Sequence, residues 1–367
     1  MKSQNIAIPT LAFALLIIAG PSAPAQTAEP REGPPACWAP DALAVKSGED
    51  RIQRGVARAF LTPPKGELAA FSPIQQRGVV RRVKLPPGQK LIALTFDLCE
   101  QPYEISGYQG GIVDFLRKNQ IKATFFAGGK WMLTHRERAQ QLSFDPLFEV
   151  GNHTWEHYDL RLLAGHALID EITGAQRAYE QVRGEIEASQ CTWPDRSTPA
   201  QAPKRLGLFR FPFGACDAKS LDAVANMGLT AIQWDVSSGD PTFGLSPEHM
   251  VRYVLAAVQP GSIVLFHANG RGWHTQSALP AILAALKARG YQFVTVSELL
   301  AAGEPVITNA CYDARPGDTD RYDNFARGLE VRYQAFKTIV AANQRHGSID
   351  ARPNVARLHR ERPTARD

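Results

Sequence analysis

Between residue 90 and about residue 300, short apolar runs rich in β-branched and aromatic residues recur at regular spacing. They fall at 91–96, 123–127, 147–150, 208–211, 230–234, 262–266 and 292–296. Helix-compatible stretches separate most of them, including 111–120, 162–188, 219–227 and 277–288. Strands that alternate with helices make βαβ units, and such units make a parallel sheet. Polar groups close several runs: Asp97 the first, His153 the third, Arg210 the fourth, Asp235 the fifth and His267 the sixth. An open sheet spreads such groups along an edge, whereas a closed one gathers them on a single rim. The expectation is therefore an α/β chain whose residues 89–302 form a distorted (β/α)7 TIM-like barrel, with N- and C-terminal extensions.

The flanks read differently. Lys2, the apolar stretch from Ile6 to Ala19 and Ala23-Pro24-Ala25 have the layout of a signal peptide over 1–25, cleaved before Gln26. The apolar stretch falls short of the ~20 residues that span a bilayer. The chain is thus expected to be exported, periplasmic or extracellular. Residues 26–88 form an N-terminal extension, proline- and glycine-rich near its start, with a short edge strand expected from Val79 to Leu85. Residues 303–367 form a C-terminal extension with one helical pattern (Phe325, Leu329, Tyr333, Phe336, Val340) and an arginine-rich end expected to be disordered. A 44% hydrophobic content excludes a wholly disordered chain, and five cysteines are too few for a disulfide-built miniprotein. A net charge of +5 with interspersed signs carries no nucleic-acid footprint.

Several residues carry chemistry. In Gly151-Asn152-His153-Thr154-Trp155-Glu156-His157, two histidines stand four apart. On a helix entered directly from the strand both imidazoles reach one cation; otherwise they are two surface histidines. A carboxylate at the end of an apolar strand, as at Asp97, is costly unless it meets a cation or a donor. Arg210, inside Leu208-Phe209-Arg210-Phe211, needs an anion in return, and a bidentate pair would orient Asp97. His267 follows another apolar strand and precedes the turn-like Ala268-Asn269-Gly270. No Gly-x-Ser-x-Gly elbow of a serine hydrolase is present.

Taken in order, Thr95-Phe96-Asp97, His153 through His157, Arg210-Phe211-Pro212-Phe213-Gly214, Trp234 through Asp240 and Leu265-Phe266-His267 resemble the five motifs of NodB-homology polysaccharide deacetylases, carbohydrate esterase family 4. The resemblance covers roughly residues 89–302. It implies a divalent metal, often zinc, and removal of acetyl groups from N-acetylated sugars. By it, His153 and His157 are metal ligands, Asp97 is the general base and His267 the general acid. Arg210 pairs with the base, and Asp240 orients the acid. Phe213, whose backbone N–H matches an oxyanion donor, and Trp234 belong to the substrate side. Trp273, in the loop 270–275, can stack on a sugar face. The implied partner is a carbohydrate polymer, with association to the cell envelope. An O-acetyl esterase and a non-catalytic carbohydrate-binding relative are the alternatives.

The chain departs from the family pattern at Leu98, where a second aspartate usually supplies the third metal ligand. Glu100 is the expected substitute, with Asp97 itself or water as other fillers. Ser237 and Pro241 stand where an aspartate and a tryptophan are common. A Cys99–Cys216 bridge is expected, its rival being Cys99 as a metal ligand in an altered site. Cys37 and Cys311 would then tie the two extensions together, with Cys191 left over.

Overall fold

The computed structural model of the chain describes residues 35–56, 59–193 and 202–345; the expected signal peptide and the arginine-rich end lie outside them. Its strands are β1 Gln53–Arg54, β2 Val79–Lys84, β3 Leu91–Leu98, β4 Glu104–Ile105, β5 Ala123–Ala127, β6 Phe148–Asn152, β7 Leu208–Phe209, β8 Thr230–Ile232, β9 Val236–Ser237, β10 Ile263–His267, β11 Gln292–Val294 and β12 Glu304–Thr308. β1 and β4 pair with each other, and the other ten strands share one sheet. Its order is β12-β2-β8-β7-β6-β5-β3-β10-β9, with β11 alongside the first residues of β3. Only β12, on β2, is an antiparallel neighbour in that sheet. β8 and β9 are two pieces of one chain run, and they pair with β7 and β10 respectively. That run therefore joins the two sides of the curled sheet.

All seven apolar runs contain strands of this sheet. The expected edge strand is also real, but it is not an edge, because β2 lies between β8 and β12. Both extensions thus contribute strands, and boundaries at 89 and 302 cut through a continuous sheet.

Side chains alternate faces along a strand, and β3 shows how this builds the site. Ile92, Leu94, Phe96 and Leu98 enter one apolar layer with Ile112, Val113 and Leu116 of helix Gly110–Lys118. Leu279, Ile282 and Leu286 of helix Thr275–Ala288 complete that layer. Each such side chain taken out of water contributes about 1.5–3 kcal/mol. Ala93 faces the other way, onto Phe126, Ile232, Ile263 and Leu265 in the barrel interior. Thr95 follows it, contacting the buried Arg210. The register that buries the even-numbered residues against helices thereby directs Asp97 inward.

The disulfides are Cys37–Cys191 and Cys216–Cys311, and Cys99 is a buried free thiol. The expected Cys99–Cys216 and Cys37–Cys311 pairings are replaced because each extension meets a different part of the barrel. Cys37 lies beside the end of helix Gly165–Ser189, its N–H donating to Thr192 O at 2.8 Å. Cys311 follows β12 and reaches the loop after β7. No helix among the described residues is long and apolar enough to cross a membrane.

Candidate active site

Asp97 is the penultimate residue of β3 and His267 the last of β10, and the two are direct register partners. Asp97 Oδ1 accepts from Arg210 Nη1 at 2.9 Å, while Oδ2 lies 3.5 Å from His153 Nε2. Arg210 is fully buried, with its guanidinium 4.0 Å above the Phe126 ring. Its contact with Asp97 is through one nitrogen and not the expected bidentate pair. The other donors are taken: Nη2 by Gln233 O at 3.1 Å and Nε by Ile232 O at 3.3 Å. Nη1 also reaches Thr95 Oγ1 at 2.8 Å. The guanidinium is thus clamped from three sides and holds the carboxylate in one orientation.

His267 has its own anion. Its Nδ1 is 2.8 Å from Asp240 Oδ1, while Asp240 Oδ2 accepts the His267 backbone N–H at 2.6 Å and the Thr275 hydroxyl at 2.7 Å. Burial works against a charged ring, but the Asp240 carboxylate, through its charge and its hydrogen bond, together with Asp97, outweighs it and raises the His267 pKa above the usual 6.5. If His267 must be protonated for turnover, activity falls as pH rises through that raised value. Asp240→Asn removes the anion, so the alkaline limb of the kcat profile should move to lower pH, as a pH–rate series would measure. Asp235 does not share this rim. It binds Ser262 Oγ and Ile263 N at the start of β10, at 2.8 and 2.9 Å.

The histidine pair is assembled without a helix. After β6 the chain enters a loop in which Thr154 and His157 adopt positive φ, 65° and 63°. This turns the His157 ring toward His153, with centroids 4.9 Å apart. His153 Nδ1 is 2.9 Å from the Arg210 carbonyl, which only accepts, so Nδ1 carries the proton and Nε2 offers a lone pair. Burial lowers the pKa of both histidines, and for His157 the nearby His153 adds to the effect, which favours the uncharged rings. His153 Nε2 and His157 Nδ1 are buried without hydrogen-bond partners. An unmet buried polar atom costs about 1–3 kcal/mol, and a cation would satisfy both.

Cys99 is the third group to converge: one donor atom each from Cys99, His153 and His157 lie within 4.8 Å of one another. Glu100 is engaged elsewhere. Its Oε2 accepts from Ser106 N at 3.0 Å and Thr134 Oγ1 at 2.9 Å, and burial pushes its pKa up to about 7. Two neutral imidazoles and a thiol fit a zinc-like ion. Glu100→Gln should accordingly leave the metal content of the purified protein unchanged, measured by elemental analysis.

The residues assigned to substrate divide. Trp273 is 42% exposed and meets the more exposed Phe243 edge-to-face, with centroids 5.5 Å apart. Trp234 is buried, its Nε1 donating to Asp313 Oδ1 at 3.0 Å, so it forms wall and not platform. Phe213 sits at φ 59°, its ring 4.6 Å from that of His157. Tyr322 and Phe325 cover Phe213 from the C-terminal segment, at 5.9 and 6.2 Å between ring centroids. Sequence reasoning gave these two residues and Thr275 no role at the site: Tyr322 and Phe325 are distant from the motifs along the chain, and the loop that Thr275 ends was weighed for its aromatic side chain.

Residues 84–232 match the family described as polysaccharide deacetylase. A peptidoglycan-N-acetylglucosamine deacetylase of Bacillus cereus is 30% identical over 220 residues, 59% of this chain and 91% of that protein. The peptidoglycan-N-acetylglucosamine deacetylase PgdA of Listeria monocytogenes is 28% identical over 233 residues, 62% of this chain. The chain spans only 44% of the length of that relative. The structure of Bacillus subtilis PdaA, a family 4 carbohydrate esterase, superposes with a TM-score of 0.50 at 21% identity, covering 61% of this chain and 86% of that one. The chain belongs to the polysaccharide deacetylase family and has the curled, largely parallel α/β fold of its members.

Proposed function

We propose that the protein is an exported, metal-dependent hydrolase that removes N-acetyl groups from an amino-sugar polymer, peptidoglycan being the substrate named for the Bacillus cereus relative. One observation carries this reading. Asp97 and His267 are register neighbours, each with a separate counter-charge, beside a cluster of converging donor atoms. A divalent ion, for which zinc suits the donor set, would polarise the acetamide carbonyl and acidify water.

The protein groups do the rest. Asp97, fixed by an Arg210 that Thr95 helps to hold, accepts the proton of the attacking water at Oδ2, the oxygen that Arg210 leaves open. His267, held at Nδ1 by Asp240, delivers a proton from Nε2 to the departing amine. The Phe213 N–H serves the developing oxyanion. Phe243 and Trp273 offer aromatic surface to sugar rings. Two disulfides suit an oxidising compartment outside the cytoplasm.

The test is acetate release from peptidoglycan and chitooligosaccharides, with acetylated xylan as the O-acetyl control. Release from the amide substrates should stop on chelation and return with zinc. Release from the ester alone would transfer the assignment to O-deacetylation. Binding of the polymers by the metal-loaded protein without any release would refute hydrolysis altogether.

A further inference from the structure

We propose that Cys99 supplies a thiolate ligand, so that the ion is held by one sulfur and two imidazoles, from Cys99, His153 and His157, with no carboxylate completing the set. This rests on the deacetylase reading only in so far as that reading calls for a metal.

The strand register explains why the ligand is displaced by one position. Leu98 is wholly buried in the layer that β3 shares with the helices, so the residue after Asp97 faces away from the mouth. Alternation returns the direction of Asp97 at the next position but one. That position is Cys99, which is 3% exposed and is not part of a disulfide.

The surroundings are built for a sulfur that does more than fill space. Asn269 Nδ2 lies 2.9 Å from Cys99 Sγ and 2.7 Å from Cys99 O. Its own carbonyl accepts the Gly107 N–H at 2.8 Å, which fixes the residue in place. An amide donor aimed at sulfur is the outer support that metal-bound thiolates use. Across from it stand the two unpartnered nitrogens, His153 Nε2 and His157 Nδ1, on residues 1% and 9% exposed. On binding, the S–H bond breaks, its proton leaves to solvent and a sulfur–metal bond forms. A sulfur ligand also sets metal choice, favouring zinc or cobalt over magnesium or manganese, which prefer oxygen.

Zinc-edge X-ray absorption of the zinc-loaded full chain is the decisive measurement. A sulfur scatterer at ~2.3 Å beside nitrogens at ~2.0–2.1 Å is expected, and the cobalt-substituted protein should show a thiolate-to-cobalt charge-transfer band in the near ultraviolet. In Cys99→Asp both sulfur signatures should vanish while the ion still binds. A wild-type shell of nitrogen and oxygen only, failure to take up zinc or cobalt, or a charge-transfer band that survives in Cys99→Asp would overturn the proposal. If that variant does not fold, the wild-type spectrum decides alone. The two readings fail separately. Acetate release with an oxygen–nitrogen shell sinks the thiolate and keeps the deacetylase; a sulfur shell without release from any polymer does the reverse.

Discussion

Asp97→Asn is expected to lower acetate release by about 10²–10⁴-fold, the usual contribution of a positioned general base, with the fold retained. The amide has the shape of the carboxylate, and its oxygen can still accept the Arg210 N–H that now reaches Oδ1. What is lost is the acceptor at Oδ2, which faces His153 and the donor cluster. The effect should therefore appear in kcat far more than in KM, because nothing in the substitution alters the aromatic surface at Trp273 and Phe243. Rates on a chitooligosaccharide, read beside a thermal melt, separate this from simple unfolding. A rate within a few-fold of wild type would remove Asp97 as the base and leave it as the counter-ion of Arg210.

How much of this was legible in the sequence depends on which interaction wrote each feature. Parallel strands covered on both faces must be apolar throughout, so the runs at 91–96, 123–127 and 262–266 announced themselves and only their pairing was open. β2 was harder to place, because six residues can read as an edge whether or not a neighbour lies on both sides. His153 and His157 do lie side by side, but not through the helical spacing from which their proximity was expected. Positive φ at Thr154 and His157 does the bringing together, and non-glycine residues in that conformation leave no simple sequence signal. Glu100 looked like a ligand by composition, but its carboxylate finds Ser106 and Thr134 instead. Cys99, one residue past the end of β3, was weighed in the sequence as a ligand only as the rival of a Cys99–Cys216 bridge. Cysteine connectivity was beyond reach, since five thiols admit many pairings and only the folded positions select among them.

Removing the Cys216–Cys311 bridge should produce a large loss of stability, about 4–5 kcal/mol in the chain-entropy account, because it closes a loop spanning 95 residues. For a domain of this size that corresponds to a melting point lower by roughly 10–20 °C. The bridge joins two parts of the proposed site: Cys216 follows Phe213, and Cys311 opens the segment that carries Asp313, Tyr322 and Phe325. That segment has further anchors. Arg81 donates to the carbonyls of Tyr312 and Asp313 at 2.6 and 2.7 Å, and its guanidinium lies 3.7 Å from the Tyr312 ring centroid. β12 remains paired with β2. The Cys216→Ser/Cys311→Ser double variant should therefore keep a folded barrel at low temperature. The cover over Phe213 would loosen first, so KM for polymer should rise before kcat falls. Thermal denaturation of the variant measures the first effect, and steady-state kinetics well below its midpoint measures the second. A midpoint unchanged from wild type would mean that the noncovalent anchors alone hold the C-terminal segment. A lower midpoint with KM unchanged would mean that the Phe213 cover lies outside the path of the substrate.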